Sequence, residues 1–378
     1  MQQISLKITR DRAAPPCRIG PAFFIPMSKD HVDARNVRLR ARGDSDVKLA
    51  FVIPVFNDWE SARRLLADIA SAQLPAVAER QVLLVDDGSI EPIPTDLCVG
   101  LVLPPGDSVS VIELACNVGH QRAIALGLAV VEDAMPDHHV LVMDGDGEDR
   151  VADIPRLIAA LPPGDHGIAA AGRATRSEGL SFRTGYVLYQ LLFRVLVGRP
   201  ISFGNFTLIG PQAVARLVRM PEAWNHIAAT LLRSRLPLAL VPTARGTRYA
   251  GRSSMNTPAL VAHGLSAITV FVDYVFARML MLTAATCLLA LFGVLVVAVI
   301  RLATDLATPG WATSAIGLFL TIILLSFAMV LIAAVQVIGV RGQPAMHPRM
   351  LRPLYVRGLR RLYAPAPVEP AQQALLAS

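Results

Sequence analysis

The first part of the chain alternates short apolar runs with stretches that carry apolar residues at helical spacing. The apolar runs predict β-strands at residues 49–55, 82–85, 111–114 and 140–143. Helical spacing predicts α-helices at residues 59–72 and from residue 120 to about residue 133. We interpret the series as β-α-β-α-β-α-β, which is typical of an α/β domain with a mainly parallel sheet and helices on both faces.

A different pattern follows residue 278, where two long stretches contain no charged side chain, at residues 280–300 and 311–340. Each reaches the roughly 20 residues that a helix needs to cross the hydrocarbon core of a bilayer. Core helices of soluble proteins seldom run so far without a polar face. The sequence therefore predicts transmembrane helices at residues 279–301 and 311–340, preceded by an interfacial amphipathic helix at residues 261–278.

Composition and charge fit this division. The chain has 378 residues, of which 53% are hydrophobic, and a net charge of +7, so it has room for one large domain beside a membrane part. Residues 341–378 carry several arginines and only one acid, Glu369, which predicts a basic cytoplasmic tail by the positive-inside tendency. Residues 1–47 show no signal-peptide pattern and are expected to be a flexible extension of the main domain at 48–260.

The most informative polar cluster follows the fourth predicted strand. Four carboxylates fall within six residues, those of Asp144, Asp146, Glu148 and Asp149. Sites in parallel sheets lie at the carboxyl ends of strands, and two oxygen ligands such as Asp144 and Asp146 can hold Mg²⁺ or Mn²⁺ against nucleotide phosphates. The alternative for an isolated Asp-x-Asp pair is a plain acidic turn.

A basic window precedes the first apolar stretch. Residues 223–272 contain no Asp or Glu but five arginines, Arg233, Arg235, Arg245, Arg248 and Arg252. We interpret the window as a cationic patch that attracts anionic headgroups and a lipid phosphate. Alternatively, the patch only seats the domain on the bilayer.

Seven short motifs occur in a fixed order along residues 49–255. They are Ile53-Pro-Val-Phe-Asn57, Val85-Asp-Asp-Gly-Ser89, Asn117-Val-Gly-His120, Asp144-Gly-Asp146, Gly172-Arg173, Gly204-Asn-Phe206 and Arg248-Tyr-Ala-Gly-Arg-Ser253. In this order they resemble the family 2 glycosyltransferases of the GT-A fold, and among them the polyprenyl-phosphate glycosyltransferases typified by dolichol-phosphate mannosyltransferase. The two apolar stretches that follow match the membrane-anchored bacterial branch of that group.

The resemblance implies three groups of site residues. Asp144 and Asp146 would bind the metal and, with Arg248, form the catalytic group. The donor nucleotide would contact Pro54, Asn57, Asp86, Asp87, Gly119 and Asp144. The acceptor phosphate would contact Arg173, Arg248, Arg252 and Ser253. Asp86 or Asp87 has the alternative role of bracing the Asp-Gly turn, and His120 is expected to cap or pack a helix without chemistry.

The resemblance also implies an activity, which is inverting transfer of a sugar from a UDP- or GDP-sugar to undecaprenyl or dolichyl phosphate with Mg²⁺ or Mn²⁺. Two alternatives stay open: another lipid or polysaccharide acceptor, and a scaffold with a degenerate transferase domain. The expected protein is a multi-pass protein of the cytoplasmic (inner) membrane, with the catalytic domain and both termini in the cytoplasm. No nucleic acid is expected among its partners, while self-association and a downstream flippase are left open.

Four positions depart from the family pattern. Thr207 replaces a common Arg, Ser254 stands where Lys often occurs, and Gly147-Glu148 replaces a frequent Leu-Gln. Two absent cationic groups alter how a diphosphate or an acceptor phosphate would be held. The sugar and the nucleotide are therefore left unassigned.

Overall fold

The computed structural model describes residues 47–74, 76–173, 193–198, 201–250, 257–304, 308, 310–341 and 345–364. The predicted flexible extension therefore lies outside the described residues, apart from Val47. Arg252, Ser253 and Ser254 also lie outside them, so the predicted acceptor contacts of Arg252 and Ser253 stay predictions.

An eight-stranded sheet forms the centre of the domain. In chain order its strands are β1 (Val47–Val55), β2 (Val77–Asp86), β3 (Ser108–Leu114), β4 (His139–Val142), β5 (Ile168–Arg173), β6 (Phe203–Ile209), β7 (Leu238–Thr243) and β8 (Val356–Tyr363). They lie side by side in the order β7-β5-β6-β4-β1-β2-β3-β8. Of these eight, β6 and β8 run antiparallel to their neighbours, so the sheet is mainly parallel, as predicted.

Helices cover both faces of the sheet. In chain order, the helices of the described residues are α1 (Trp59–Ser71), α2 (His120–Ala134), α3 (Ile154–Ala160), α4 (Pro211–Leu217), α5 (Ile227–Ser234), α6 (Thr257–Thr269), α7 (Val272–Ala303), α8 (Trp311–Arg341) and α9 (Pro348–Tyr355). Successive strand residues point to opposite faces, so Val52 of β1 packs with α2 while Phe51 packs with α1. The four predicted strands and both predicted helices are present, with small differences at their ends.

The helix expected between β2 and β3 is absent: residues 87–107, all of them described, form turns and coil. Prolines at positions 92, 94, 104 and 105 explain this difference, because proline lacks an amide donor and disfavours helical geometry in the residue before it. Leu97 and Leu103 of this connection are buried and cover the core beside α1.

Helices α7 and α8 are the two long apolar helices predicted from the sequence. By length and composition both can cross a membrane, and in their most apolar windows few or no side chains are buried. The helices pack against each other, and a Cβ added to Gly293 of α7 would lie 2.5 Å from the Phe319 ring of α8. Helix α7 begins at residue 272 rather than 279, so the segment predicted as one interfacial helix, 261–278, is divided between α6 and α7.

A buried corner causes that division. Val270 and Phe271 lie between α6 and α7, and both are buried in a small apolar cluster that includes Phe193. The Phe193 and Phe271 rings meet edge to face with their centroids 6.2 Å apart. This anchor fixes the chain to the domain just before α7 begins.

The prediction of a basic tail at 341–378 is wrong for residues 348–363, which belong to the folded domain. Helix α9 packs beside α2, and β8 pairs antiparallel with β3. Three of the five arginines of this segment pair with acids of the domain: Arg349 contacts Glu132 at 2.5 Å, Arg352 contacts Asp133 at 2.6 Å and Arg360 contacts Glu113 at 2.9 Å. Residues 365–378 lie outside the described part of the chain.

Candidate active site

Three loops meet at the carboxyl edge of the sheet, where β1, β2 and β4 end. The β1 loop contains Asn57, the β2 loop contains Asp86 and Asp87, and the β4 loop is the acidic segment 144–149, here called the acidic loop. Because β1 pairs in parallel with both β2 and β4, the sheet itself brings these loops together.

The carboxylates after β2 hold the framework of the site. Asp87 is only 3% exposed, and its two oxygens accept hydrogen bonds from the main-chain amides of Val118 and Gly119 at 2.7 and 3.0 Å. Burial raises the pKa of the Asp87 carboxyl, although the two hydrogen bonds oppose this shift. Asp86 accepts a hydrogen bond from the Ser89 amide at 2.9 Å. Both carboxylates therefore brace main chain, which is the alternative role that the sequence left open.

Asn57 has a similar bracing role. It has a positive φ of 51°, and its side-chain oxygen accepts hydrogen bonds from the amides of Ile90 and Glu91 at 2.8 and 3.2 Å. The main-chain amide of Asn57 donates a hydrogen bond to the Ser89 hydroxyl at 3.0 Å. Asn57 thus joins the β1 and β2 loops.

Asp144 is held in place from both sides. Its amide donates to the buried Asp149 carboxylate at 2.8 Å, and its Oδ1 lies 3.1 Å from Nε2 of His120. Burial disfavours the charged imidazole, but the nearby carboxylates of Asp144, Asp87 and Asp146 outweigh it, so the pKa of His120 is raised. His120 therefore touches the acidic loop directly, a contact that the sequence interpretation did not anticipate.

Asp146 and Arg248 come together as a close ion pair. Nη2 of Arg248 lies 2.5 Å from Oδ2 of Asp146, whose other oxygen accepts a hydrogen bond from the Glu148 amide at 3.0 Å. Burial raises the pKa of the Asp146 carboxyl, and the negative charge of Asp144 adds to this, while Arg248 opposes it. Arg245 forms a second pair with Glu148 at 2.6 Å.

The segment carrying Arg245 and Arg248 lies directly on the acidic loop. The amide of Tyr249 donates to the Asp146 carbonyl at 2.8 Å, and its ring packs on Gly147, where an added Cβ would lie 2.6 Å from ring atoms. Gly147 has a φ of +88°, so a side chain is excluded here by both conformation and space. Tyr249 is tied to α1, because its hydroxyl donates to Asp68 and its carbonyl accepts from Arg64 at 2.8 Å.

A polar network that sequence reasoning missed links the site to α5. Asn205 contacts Nε2 of His120 at 3.0 Å and accepts a hydrogen bond from Gln121 at 3.0 Å. Gln121 in turn accepts from the amide of Ile227 at 2.7 Å, at the start of α5. The motif Gly204-Asn-Phe206 marked Asn205, but its partners come from distant segments and have no local signal.

The remaining predicted residues are placed as follows. Pro54 is buried in β1 and Gly119 immediately precedes α2, so both lie at the carboxyl edge. Arg173 ends β5, and its backbone pairs with Thr243 of β7. A small cavity beside the acidic loop is lined by residues 148–150, 171, 204, 206 and 243–245.

Within the described residues, three of the five arginines of the basic window are paired with acids. Arg233 pairs with Glu222 at 2.9 Å and with Asp273 at 3.0 Å, two acids just outside the window. Arg245 and Arg248 pair with the acidic loop. The count of residues within the window overlooked these acids because Glu222 and Asp273 lie just beyond its ends and the acidic loop lies about 100 positions earlier.

Asp144 and Asp146 fit a divalent ion as two ligands of a shared site. Both carboxylates sit on one loop, and desolvation at Asp146 would be relieved by a cation. Within the described residues, no three His, Cys, Asp or Glu side chains are grouped as a ready-made metal site. The protein would therefore supply only part of the ligands of such an ion, and oxygens of a bound diphosphate would supply others.

The family of the domain follows from comparison with known proteins. Residues 50–217, a little under half of the chain, match the family model described as glycosyl transferase family 2, so this region is a family 2 glycosyltransferase domain. This confirms the resemblance drawn from the motifs, and it confirms the expected class of enzyme domain.

Several curated proteins are similar to the chain. An uncharacterized glycosyltransferase, YkoT, of Bacillus subtilis is 24% identical over 59% of this chain and 67% of its own. A dodecaprenyl-phosphate galacturonate synthase of Rhizobium johnstonii is 27% identical over 38% of this chain and 42% of its own. An undecaprenyl-phosphate 4-deoxy-4-formamido-L-arabinose transferase of Photorhabdus laumondii is 26% identical over 42% and 46%. The chain thus spans about two thirds of the first relative and less than half of the other two.

Among solved structures, a glucosyl-3-phosphoglycerate synthase from Mycobacterium tuberculosis, in complex with Mn²⁺, UDP and glucosyl-3-phosphoglycerate, is similar with a TM-score of 0.42. It is 15% identical and covers 60% of this chain and 80% of its own. This likeness is too low for features of that site to be carried over.

Proposed function

We propose that the protein transfers a sugar, with inversion, from a UDP- or GDP-sugar to a polyprenyl phosphate in the cytoplasmic membrane. The observation that carries the proposal is the contact between the acidic loop and the segment 245–249, which joins the predicted donor and acceptor residues in one place. Two relatives named for transfer to dodecaprenyl and undecaprenyl phosphate support the choice of acceptor.

The donor would lie against the loops at the carboxyl edge of the sheet. Asn57, Asp86 and Asp87 shape the wall of this pocket through the main chain that they hold. Asp144 and Asp146 would hold Mg²⁺ or Mn²⁺ together with the donor diphosphate. A divalent ion supplies positive charge to the departing nucleotide diphosphate when it is bound.

Arg248 would serve the acceptor once the donor is bound. In the structure it pairs with Oδ2 of Asp146. If the Asp146 carboxylate took up a metal ligand role, the Arg248 guanidinium would be free for bidentate contact with a phosphate, to which it is suited. A phosphate monoester is anionic at neutral pH and needs little help from a general base. Positioning and charge would then supply most of the rate enhancement.

The membrane part fits this arrangement. We propose that α7 and α8 cross the bilayer as a hairpin, since both are long and apolar enough. Because β8 follows the hairpin and joins the same sheet as β1, the domain and residues 348–363 must lie on one side. The positive-inside tendency makes that side the cytoplasm, where nucleotide-sugars are made.

The test is transfer of radiolabelled sugar into lipid that is extracted by organic solvent. Purified full-length protein would be given polyprenyl phosphate, Mg²⁺ or Mn²⁺, and a panel of UDP- and GDP-sugars. We expect a metal-dependent product with one donor that is lost in Asp146→Ala and kept in Asp137→Ala, an exposed acid in the turn before β4.

Two results would count against the proposal. Nucleotide binding without any lipid product would point to another acceptor, such as a different lipid or a polysaccharide. Equal product from Asp146→Ala and the unchanged protein would show that the acidic loop has no part in the reaction.

A further inference from the structure

Helix α9 presents an apolar face that no described residue covers. Met346 just before it, and Met350 and Leu354 within it, are 59%, 56% and 70% exposed. The four-residue spacing of Met350 and Leu354 places these two side chains on one side of the helix, and Met346 precedes it. A neighbouring side contains Leu351 and Tyr355, which pack into the domain. The outward side chains, here called the α9 face, therefore have no role in holding α9 to the sheet.

Ionic contacts fix the α9 face in its outward direction. Arg349 and Arg352 bind Glu132 and Asp133 at the end of α2, and the Arg349 amide donates to the Val218 carbonyl at 3.1 Å. These contacts leave α9 little freedom to rotate, so Met350 and Leu354 cannot turn inward. Exposed large apolar side chains fixed in this way mark an interaction surface.

The position of α9 identifies the partner as the lipid bilayer. Helix α8 ends at Arg341 and α9 begins at Pro348, so at most about 24 Å of extended chain separates them. The Tyr355 ring of α9 also packs on Trp224, with centroids 5.4 Å apart, and Asn225 beside it contacts Thr269 at the end of α6. Helix α6 itself carries exposed Val261 and Leu265 and leads into α7.

We propose that the α9 face lies in the interface of the bilayer, beside the hairpin of α7 and α8. The inference rests on the proposed membrane crossing of those two helices. Methionine and leucine on one side of a short helix, with arginines flanking them, suit the boundary between headgroups and acyl chains. Three side chains are too few for a stable protein interface, which buries roughly 800 Å² on each partner.

Such seating would give the domain a second membrane contact on the far side of α2 from the acidic loop. Helix α2 begins at His120 beside Asp144 and ends at the acids that bind α9. Because α2 joins the two, the α9 face would set the tilt of the candidate active site relative to the bilayer surface.

Site-directed spin labelling of the full-length protein in lipid nanodiscs tests this proposal. In a background with the four cysteines replaced by serine, one label would be placed at Met350→Cys. Leu325→Cys, in the middle of α8 and 60% exposed, reports lipid, while Val99→Cys, an apolar residue 77% exposed between β2 and β3, reports water. Collisions with oxygen, which concentrates in lipid, and with a water-soluble nickel chelate would be measured at each site.

We expect the label at 350 to collide with oxygen at least about threefold more often than that at 99, and to be shielded from nickel. A label at 350 that is open to nickel while 325 reports lipid would overturn the inference and leave the membrane crossing intact. Shielding from both reagents would also overturn it, with dipolar broadening indicating a second copy and its absence indicating cover by residues 1–46.

Discussion

The loops after β2 and β4 both begin with aspartates, but the carboxylates of the two loops bind different kinds of partner. Each follows a buried strand of the parallel sheet, and each starts with closely spaced aspartates. The carboxylate of Asp87 is taken up by main-chain amides of Val118 and Gly119, whereas Asp146 and Glu148 are paired with side chains of Arg248 and Arg245.

These two kinds of partner, main-chain amides and arginine side chains, distinguish a structural loop from a candidate binding loop. Main-chain amides cannot leave without unfolding the loop that carries them, so Asp87 is committed to structure. An arginine side chain can rotate away and give its place to a cation or a phosphate. On the proposed function, the acidic loop is therefore the one whose side-chain partners a donor could replace.

The largest effect on sugar transfer, with the least effect on stability, is expected at Asp146. Replacement by Asn should lower sugar transfer roughly a hundredfold or more, because a bound metal contributes several kcal/mol to charge stabilisation. The midpoint of thermal unfolding should change little, since Asp146 is partly desolvated and its removal relieves that cost. Rates and unfolding midpoints would be measured on the same samples. A large loss of stability with intact transfer would reverse the assignment of the two loops.

Asp87→Ala should instead lower the stability of the folded protein. It leaves the amides of Val118 and Gly119 without their partner, at a cost of about 2–3 kcal/mol. The unfolding midpoint should fall by roughly 2–4 °C for each kcal/mol. Asp86→Ala is the matched control because it removes the one bond to the Ser89 amide and should cost less. Equal losses in the two variants would contradict the framework role of Asp87.

Gly147→Ala tests how closely the segment 245–249 must lie on the acidic loop. The added methyl group meets the Tyr249 ring and forces a left-handed residue, which costs about 1–2 kcal/mol. We expect sugar transfer to fall about tenfold as the segment is pushed away. Gly164→Ala has the same φ of +88° with no atom within 4 Å of the new Cβ, so it reports backbone strain alone. If both variants lost the same activity, the contact with Tyr249 would be irrelevant.

The smallest effect is expected at the pair of Glu148 and Arg245. Arg245 is 45% exposed, and an ion pair this open to solvent contributes less than about 1 kcal/mol. Glu148→Gln should therefore leave the unfolding midpoint within about 2 °C of that of the unchanged protein. A shift as large as that of Asp87→Ala would mean that the acidic loop is also framework.

The sequence predicts one part of the fold much better than the rest. Strands β1 to β4 and helices α1 and α2 each carry their own apolar pattern, so local periodicity suffices to predict them. Helix α9 and strand β8 do not, because their arginines resemble those of a free basic tail. Their fit depends on Glu132, Asp133 and Glu113, which lie more than 200 positions away.

The candidate site divides in the same way. The motifs predict Asp144, Asp146 and Arg248, and the structure brings these three together. They do not reveal that Asp87 is occupied by amides or that Tyr249 is tied to Asp68 of α1. Such contacts join distant segments, and nothing in the local residue pattern specifies them.

The place of β8 in the sheet has a consequence for biosynthesis. Strand β3 pairs with β2 on one side and with β8 on the other, so its outer edge stays open until residues 356–363 leave the ribosome. Helices α7 and α8 are made before that strand, and on the proposed membrane crossing they would be inserted first. The strand edge of β3 would then stay uncovered, and able to pair with other chains, until the hairpin had been inserted.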